Sequence, residues 1–433
     1  MKYQSFALTD PGVVRKENQD AVFMEPHLGL FIVCDGCGGH RAGAVASALA
    51  IEAVHEAIRA EVEAFKSYVK RPTVRKRVQA VDAIVKAVNA AGRKVHARAK
   101  KEPDKAGMGT TMVLLQLLGG RAIAAHVGDS RIYLFRRGQL HRLTEDHTLA
   151  NQYVRRGIMS HEQARKSRAS QIITRGVGFH EIVGVDTLHF ELIPGDRFLL
   201  CTDGLTLHVS DAEIAKACED LPPDQICRQL VAAANERGGQ DNVSLVVVRT
   251  EPTASPAGDE VHRRLYSLQQ VPLFRHLSFA ELLRVLDICQ PETYEAGNRI
   301  FSEGDRSDRI YVTVAGDIHV VKDGRKLAEL PPGSAFGEMG LIDNAPRSAD
   351  IVAPEGARVL SIDREEFFAL LRQERSLAVK VLWGLCFLLN TRLRTTSAKL
   401  SAMSAAQQAA LAQTQTRTQS ALDELAAIVR PFT

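Results

Sequence analysis

Polar and apolar positions divide the first part of the chain into alternating strands and helices. Short apolar runs between turn residues predict strands, and these lie at 3–9, 28–35, 109–118, 121–128, 131–136, 197–202 and 243–249. Arg137-Gly138 predicts a hairpin that joins 131–136 to 139–143. Apolar residues at helical spacing predict long helices at about 41–66 and 74–100. The polar, Arg-rich segment 146–180 is predicted to be a mobile helical excursion.

A change of composition after residue 250 predicts a second unit. Residues 251–260 are rich in Pro, Ala and Gly, which is typical of a linker. Helical patterns then flank short strands separated by glycine turns, at Gly304, Gly316, Gly324 and Gly333. An Ala- and Gln-rich tail follows, with apolar residues at helical spacing. We therefore predict a domain at 1–250, a linker at 251–271, a domain at 272–394 and a helical tail at 395–433.

Three aspartates stand at the ends of predicted core strands. Asp35 follows the apolar run 30–34, Asp203 follows a similar run, and Asp241 comes just before the run 243–248. Each Asp alone is more typical of a loop or hairpin. Several carboxylates that meet at one strand edge would repel one another unless a cation neutralised them. The pattern therefore favours a site for a hard metal ion with Asp oxygens as ligands.

Composition excludes several other classes of protein. The 433 residues are 45% hydrophobic and 24% charged, as in soluble globular proteins, and the net charge of +4 is too small to indicate a nucleic-acid partner. The seven scattered cysteines indicate reduced thiols in a cytoplasmic protein. The N-terminus lacks the form of a signal peptide. The most apolar segment, 381–389, is shorter than the roughly 20 residues that span a membrane, so no membrane partner is expected.

Seven motifs stand in order along the first domain. They are Arg15-Lys16-Glu17-Asn18-Gln19-Asp20, Asp35-Gly36-Cys37-Gly38-Gly39-His40, Gly109-Thr110-Thr111, Gly128-Asp129-Ser130-Arg131, Leu143-Thr144-Glu145-Asp146-His147, Thr202-Asp203-Gly204 and Asp241-Asn242. Together they resemble the metal-dependent protein phosphatases of the type 2C family. The resemblance implies an α+β fold, a four-layer α-β-β-α sandwich, and hydrolysis of phosphoserine and phosphothreonine in proteins.

The same resemblance implies a centre with two Mg²⁺ or Mn²⁺ ions and a looser third. Two such ions about 3.5–4 Å apart can hold a hydroxide and direct it at phosphorus. The resemblance implies that Asp35 bridges both ions, helped by the Gly36 carbonyl, and that Asp203 and Asp241 hold the other metal. It implies that Asp20 acts through a water molecule. It also implies that Asp129 helps to hold the third ion. Arg15 is implied to clamp the substrate phosphate with its planar fork.

Two positions depart from the family pattern. Some members carry Glu where this chain has Gln19, so Gln19 is not assigned as a metal ligand. Eukaryotic members carry a His, proposed as general acid, where this chain has Cys37. The general acid therefore stays open between metal-bound water and His40.

Residues 272–392 resemble the cyclic-nucleotide-binding domain of catabolite activator protein and of protein kinase A regulatory subunits. The resemblance is carried by Phe336-Gly337-Glu338-Met339-Gly340-Leu341 and Pro346-Arg347-Ser348-Ala349. It implies a β-roll with flanking helices. It also implies that Arg347 binds the cyclic phosphate, that Glu338 accepts from the ribose 2′-hydroxyl, and that a short helix after Gly337 supplies N–H donors.

Cyclic AMP and cyclic GMP are both candidate ligands of this domain. The small pair Ser348-Ala349 follows the arginine, and a Ser there resembles catabolite activator protein, which favours cAMP. The alternative is an inherited β-roll that has lost its ligand.

The combined prediction is a cytoplasmic serine/threonine phosphoprotein phosphatase that is regulated by a cyclic nucleotide. Two alternatives stay open: a non-catalytic nucleotide sensor, and a constitutive phosphatase whose β-roll only docks partners. A homodimer formed through the C-terminal helices is a further expectation.

Overall fold

The computed structural model describes residues 2–38, 42–252, 256–306, 308–338, 346–391, 393–398 and 401. Motif residues Gly39 and His40, the segment Met339-Gly340-Leu341, and the tail from residue 402 onward lie outside the described residues, and the interpretations that depend on them stay predictions.

Two antiparallel sheets form the centre of the N-terminal domain. The first sheet has the order β1 (Tyr3–Asp10), β11 (Val243–Thr250), β10 (Arg197–Cys201), β7 (Arg131–Arg136) and β8 (Gln139–Arg142). The second has the order β2 (Asp20–Glu25), β3 (Leu30–Cys37), β5 (Met112–Leu118), β6 (Arg121–Val127) and β9 (Asp186–Glu191), and β4 (Gly109–Thr110) pairs with β3.

Successive side chains of a strand point to opposite faces, and this alternation builds the layers. In β3, Phe31 and Val33 join the apolar cluster between the two sheets, whereas Leu30, Ile32 and Cys34 join the cluster under the helices that cover the second sheet. These helices are α1 (Ala42–Ala60), α2 (Val62–Lys70) and α3 (Val74–Lys101).

The first sheet is covered in the same way. Its outer face packs on α7 (Asp211–Asp220) and α8 (Pro223–Glu236), and shorter helices are α4 (Leu149–Arg155), α5 (His161–Lys166) and α6 (Asp203–Thr206). The order of layers is helix, sheet, sheet, helix, so the predicted α-β-β-α sandwich is confirmed.

The C-terminal part is rich in β-structure. One sheet has the order β12 (Cys289–Tyr294), β19 (Ala357–Asp363), β14 (Arg309–Ala315) and β17 (Ala335–Phe336); the other has β13 (Asn298–Phe301), β18 (Asp350–Ala353), β15 (Ile318–Lys322) and β16 (Arg325–Leu330). The flanking helices are α9 (Pro256–Gln270), α10 (Phe279–Asp287), α11 (Arg364–Gln373) and α12 (Arg375–Ala398). The predicted β-roll with flanking helices is consistent with this architecture.

Local turn chemistry agrees with the sequence. Arg137 and Gly138 have positive φ values of 49° and 79° and form a two-residue hairpin between β7 and β8. The four glycines that predicted turns in the β-roll also have positive φ values.

Four elements differ from the sequence-based expectation. The helix predicted at 41–66 is two helices, with a break at Glu61. Strands β2 and β9 were not predicted, because β2 is half-buried along its whole length and both lie at sheet edges. Most of the segment predicted as a linker at 251–271 forms α9, since Val261, Leu265 and Leu268 are buried in the shared apolar core.

Helix α12 shows that the apolar segment near the C-terminal end is longer than the sequence predicts. Among the described helices, it alone is long and apolar enough by length and composition to cross a membrane, and 18% of that apolar stretch is buried. The segment 381–389 is only its centre. Leu377 and Val381 are buried in the core, whereas Val379, Leu382 and Trp383 are exposed.

Candidate metal centre and nucleotide site

Strand β3 carries Asp35 to the rim of the second sheet. Asp20, the first residue of β2, is its register partner. The Asp35 N–H donates to Thr111 Oγ1 (3.0 Å), the Thr111 N–H donates to Asp35 O (2.8 Å), and the Thr111 hydroxyl contacts the Ser130 hydroxyl (2.6 Å). Since Ser130 follows Asp129, these bonds hold Asp35 and the β6–β7 turn in one arrangement.

The first sheet contributes the other two acids. Asp203 begins α6 directly after β10, and Asp241 stands just before the neighbouring strand β11. Thr202, the residue before Asp203, donates its hydroxyl proton to Asp20 Oδ2 (3.0 Å). This bond joins the rims of the two sheets, so the acids predicted from separate motifs lie in one cluster.

Only glycine fits at position 36. A Cβ there would lie 2.2 Å from the Gly43 carbonyl oxygen and 2.5 Å from that of Gln19. The Gly36 N–H donates to the same Gln19 oxygen (3.2 Å). The close approach packs the start of α1 against the end of β3, beside Asp35.

The clustered charge perturbs the acids. Burial, together with the charges of Asp20, Asp203, Asp129 and Asp241, raises the pKa of Asp35 well above its usual value. Burial is also the main cause that raises the pKa of Asp20 and of Asp129, each to about 7, and that raises the pKa of Asp203. Each ionised acid therefore disfavours the ionisation of its neighbours.

These acids fit a hard cation. Asp129 Oδ1 is buried and has no hydrogen-bond partner among the described residues. A buried oxygen without a donor, within a group of mutually repelling carboxylates, is the environment that Mg²⁺ or Mn²⁺ stabilises. Asp20, Asp35, Asp129, Asp203 and Asp241 are therefore the residues that would hold the ions, and their individual roles stay predictions.

Arg15 lies beside the cluster. Its Nη2 is 2.9 Å from Asp241 Oδ2, and its side chain is 56% exposed. The loop that carries it is held by Asn242, whose amide donates to the carbonyls of Pro11 and Glu17 (both 3.0 Å) and whose Oδ1 accepts from the Gln19 N–H (2.9 Å). The motif Asp241-Asn242 contained this signal, but the sequence assigned Asn242 no role.

The predicted nucleotide site is organised around Arg347. Its guanidinium donates to the carbonyls of Gly337 (3.1 Å) and Arg309 (2.7 Å) and lies 4.2 Å from the centre of the Phe301 ring. Burial lowers the pKa of Arg347. Its Nε is buried without a hydrogen-bond partner in the described part of the chain, so the site fits an anionic ligand.

The other predicted nucleotide residues surround this arginine. Glu338 and Ala349 are buried, and Ser348 is exposed. Gly337 has φ +73°, and a Cβ there would lie 2.5 Å from Arg347 Nη1. The sequence contains no signal for Phe301 as the aromatic wall of the site, because its ring meets Arg347 only when β13 pairs with β18, the strand that follows Arg347.

The comparisons with known proteins match both parts of the chain. Residues 14–244 match the family "Protein phosphatase 2C", and residues 291–374 match "Cyclic nucleotide-binding domain". The first match covers more than half of the chain. The fold is a phosphatase-type sandwich joined to a β-rich domain that matches the cyclic nucleotide-binding family. The chain belongs to the protein phosphatase 2C family.

Relatives match the N-terminal part. The serine/threonine protein phosphatase PstP of Mycobacterium tuberculosis is 36% identical over 241 residues, which are 56% of this chain and 44% of the relative. The serine/threonine phosphatase Stp of Listeria monocytogenes is 32% identical over 249 residues, 57% of this chain and 95% of the relative. This chain thus spans less than half the length of PstP.

A solved structure shows the same fold. The crystal structure of the M. tuberculosis phosphatase PstP/Ppp has a TM-score of 0.52 and 33% identity, and the match covers 57% of this chain and 99% of that one. The structure of the Streptococcus agalactiae serine/threonine phosphatase has the same TM-score and identity, and that match covers 58% of this chain and 100% of that one.

We expect Asp129→Asn to stabilise the metal-free protein at pH 8. The raised pKa means that the fold favours the neutral acid. This contribution to stability is present below about pH 4 and is lost as pH rises toward 7. Removing the charge should raise Tm in EDTA at pH 8 by about 2–6 °C, and by less at pH 5. The measurement is thermal unfolding followed by fluorescence.

Asp104→Asn is the control, because the Asp104 side chain is 77% exposed. Excess Mn²⁺ should remove the advantage of Asp129→Asn, since the wild-type carboxylate then has a cation. Equal Tm values for wild type and Asp129→Asn in EDTA at pH 8 would contradict the charge cluster.

Proposed function

We propose that the chain is a Mg²⁺- or Mn²⁺-dependent serine/threonine phosphoprotein phosphatase. The observation that carries this proposal is the convergence of five acids from both sheets, with the unpartnered Asp129 Oδ1 among them. Membership of the protein phosphatase 2C family and the printed names of the relatives support it. The implied substrates are phosphoserine and phosphothreonine proteins.

The ions, when bound, supply Lewis acidity and lower the pKa of bound water. The residues of the chain position the carboxylates and supply a positive charge for the substrate phosphate. The backbone bonds between Asp35 and Thr111 keep the central carboxylate rigid, and the Thr202 hydroxyl orients Asp20. Arg15 is exposed at the rim of the cluster, where its planar fork can bind two oxygens of a phosphate monoester.

A cyclic nucleotide, with cAMP favoured over cGMP, is proposed to regulate this activity. The buried guanidinium of Arg347, with its unpartnered Nε, supports an anionic ligand in the β-roll. One apolar cluster includes residues of both sheets of the sandwich, of α9 and α10, and of strands β14 and β19. Shared packing of this kind allows a ligand in one domain to change the energy of the other.

A cytoplasmic homodimer is the proposed assembly. All seven cysteines are free, which supports a reducing compartment. The exposed face of α12 is apolar and carries Val379, Leu382, Trp383, Phe387 and Leu393. The face continues over several helical turns, so the same face of a second copy could cover it along its length.

Catalysis is tested with Asp35→Asn. We expect turnover of a phosphothreonine peptide in Mn²⁺ to fall by more than about 100-fold, since changes even to the outer residues of metal sites cost 10–100-fold. Asp104→Asn should retain wild-type activity. Unchanged turnover in Asp35→Asn would exclude the phosphatase centre and favour a non-catalytic sensor.

Nucleotide binding is tested with Arg347→Ala. Removal of a buried charge that binds phosphate costs about 2–5 kcal/mol, so cAMP affinity measured by calorimetry should fall at least about 30-fold. Arg299→Ala, which changes a half-exposed arginine on β13, is the matched control.

Regulation is tested by titrating cAMP and cGMP into wild type and Arg347→Ala during Mn²⁺-dependent turnover. A response to either nucleotide in wild type, lost in Arg347→Ala, is expected. Measurable binding with a flat activity response would leave a constitutive phosphatase whose β-roll serves another purpose.

The dimer is tested with Trp383→Glu. A charge in the centre of the apolar face should convert a dimer into a monomer, as measured by light scattering after size exclusion. Ile182→Glu is the control, because Ile182 is an equally exposed apolar residue on the other domain. A monomeric wild type, or wild-type binding to phospholipid vesicles through this helix, would contradict the proposal.

A further inference from the structure

Strand β9 contacts both functional parts of the molecule. It is the edge strand of the second sheet, with β6 as its neighbour. An edge strand can shift without breaking a second ladder of hydrogen bonds. Its first residue, Asp186, contacts His147, and the residues that follow contact helix α10 of the C-terminal part.

On the metal side, Asp186 orients His147. Asp186 Oδ2 is 3.1 Å from His147 Nε2, and Asp186 Oδ1 accepts from Arg175 Nη1 (2.8 Å). His147 Nδ1 accepts from the Gly128 N–H (3.1 Å), and the His147 N–H donates to Gly128 O (2.9 Å). Both backbone groups of the residue before Asp129 are therefore held by His147.

This group is unsuited to a metal ion of its own. Possible ligand atoms of His126, His147 and Asp186 lie within 4.8 Å of one another. However, Arg175 already places a cation 2.8 Å from Asp186, and His147 Nδ1 is occupied by the Gly128 N–H. The group is arranged to position the turn that carries Asp129.

On the other side, α10 is attached to β9 by charged hydrogen bonds. Arg284 Nη1 donates to Thr187 O (2.7 Å), one residue from Asp186, and is also 3.1 Å from Glu374 Oε1, at the junction of α11 and α12. His189 Nδ1 lies 2.7 Å from Asp287 Oδ1. A displacement of α10 or of this junction therefore acts directly on β9.

We propose that β9 is the element that couples the nucleotide-binding domain to the metal centre, with Arg284 as the link and Asp186 and His147 as positioning residues for Asp129. The inference rests on the proposed nucleotide regulation. A nucleotide that shifts α10 or the α11–α12 junction moves β9, and the Asp186–His147–Gly128 bonds carry that movement to Asp129. Coupling is reciprocal, so a cation at the acids must change nucleotide affinity by the same factor.

The test compares cAMP affinity, measured by calorimetry, with and without saturating Mn²⁺. We expect at least an approximately 5-fold difference in wild type, within the usual range of coupling energies. Arg284→Gln should reduce this ratio to within about 2-fold of unity while cAMP still binds without Mn²⁺. Phosphatase turnover with and without cAMP is recorded on the same samples.

Arg358→Gln is the matched control, because Arg358 Nη1 contacts Glu260 Oε2 (2.7 Å) and reaches neither β9 nor the acids. Asp186→Asn tests the same link from the metal side, and it keeps the inference testable if Arg284→Gln does not fold. It should reduce the coupling ratio and raise the Mn²⁺ concentration needed for half-maximal activity.

The outcomes separate the two proposals. Absence of cAMP and cGMP binding in wild type would overturn the nucleotide function, and the coupling with it. If Arg284→Gln and Asp186→Asn both bind cAMP and both keep the wild-type ratio of cAMP affinities with and without Mn²⁺, the role of β9 alone would be overturned. Binding in wild type that is insensitive to Mn²⁺ would also overturn the coupling.

Discussion

Repulsion among buried carboxylates is the constraint on which the rest of this structure depends. Five acids from two sheets meet at one rim, and burial together with the neighbouring carboxylates raises the pKa of Asp20, Asp35, Asp129 and Asp203. Such a cluster is stable as a group of charges only when cations neutralise it. Hydrogen bonds between Thr111 and Asp35, and from the Asn242 N–H to Asp241 Oδ1 (2.8 Å), hold these acids in place despite that repulsion.

The two sheets pack on a shared apolar core, and this packing brings the acids together where the rims of the sheets meet. Asp20 and Asp35 belong to one sheet, and Asp203 and Asp241 belong to the other or to its adjoining turns. The Thr202–Asp20 bond joins them. Because the apolar core between the sheets continues into the β-roll, a change in one domain can reach the acids through packed elements such as β9.

Most of the candidate site could be predicted from the sequence, because the acids stand in short motifs with distinctive order. Phe301, His147 and Asp186 could not be assigned roles, since their partners are distant in sequence: Phe301 meets Arg347, and Asp186 meets His147, only in the folded chain. The Pro, Ala and Gly residues near 251–260 predict a linker, whereas the structure has α9 there, because Val261, Leu265 and Leu268 are buried in the shared core.

The sequence by itself determined the alternation of strand faces, the glycine turns and the family, since each of these follows from local spacing and residue type. The tertiary structure alone decided which acids share one charge cluster, how Arg347 is enclosed, and which strand links the two domains. The physical reason is that pKa shifts, burial and hydrogen bonds between distant residues depend on three-dimensional distance. A local sequence pattern indicates which distant residues meet only where its motif resembles that of a known family.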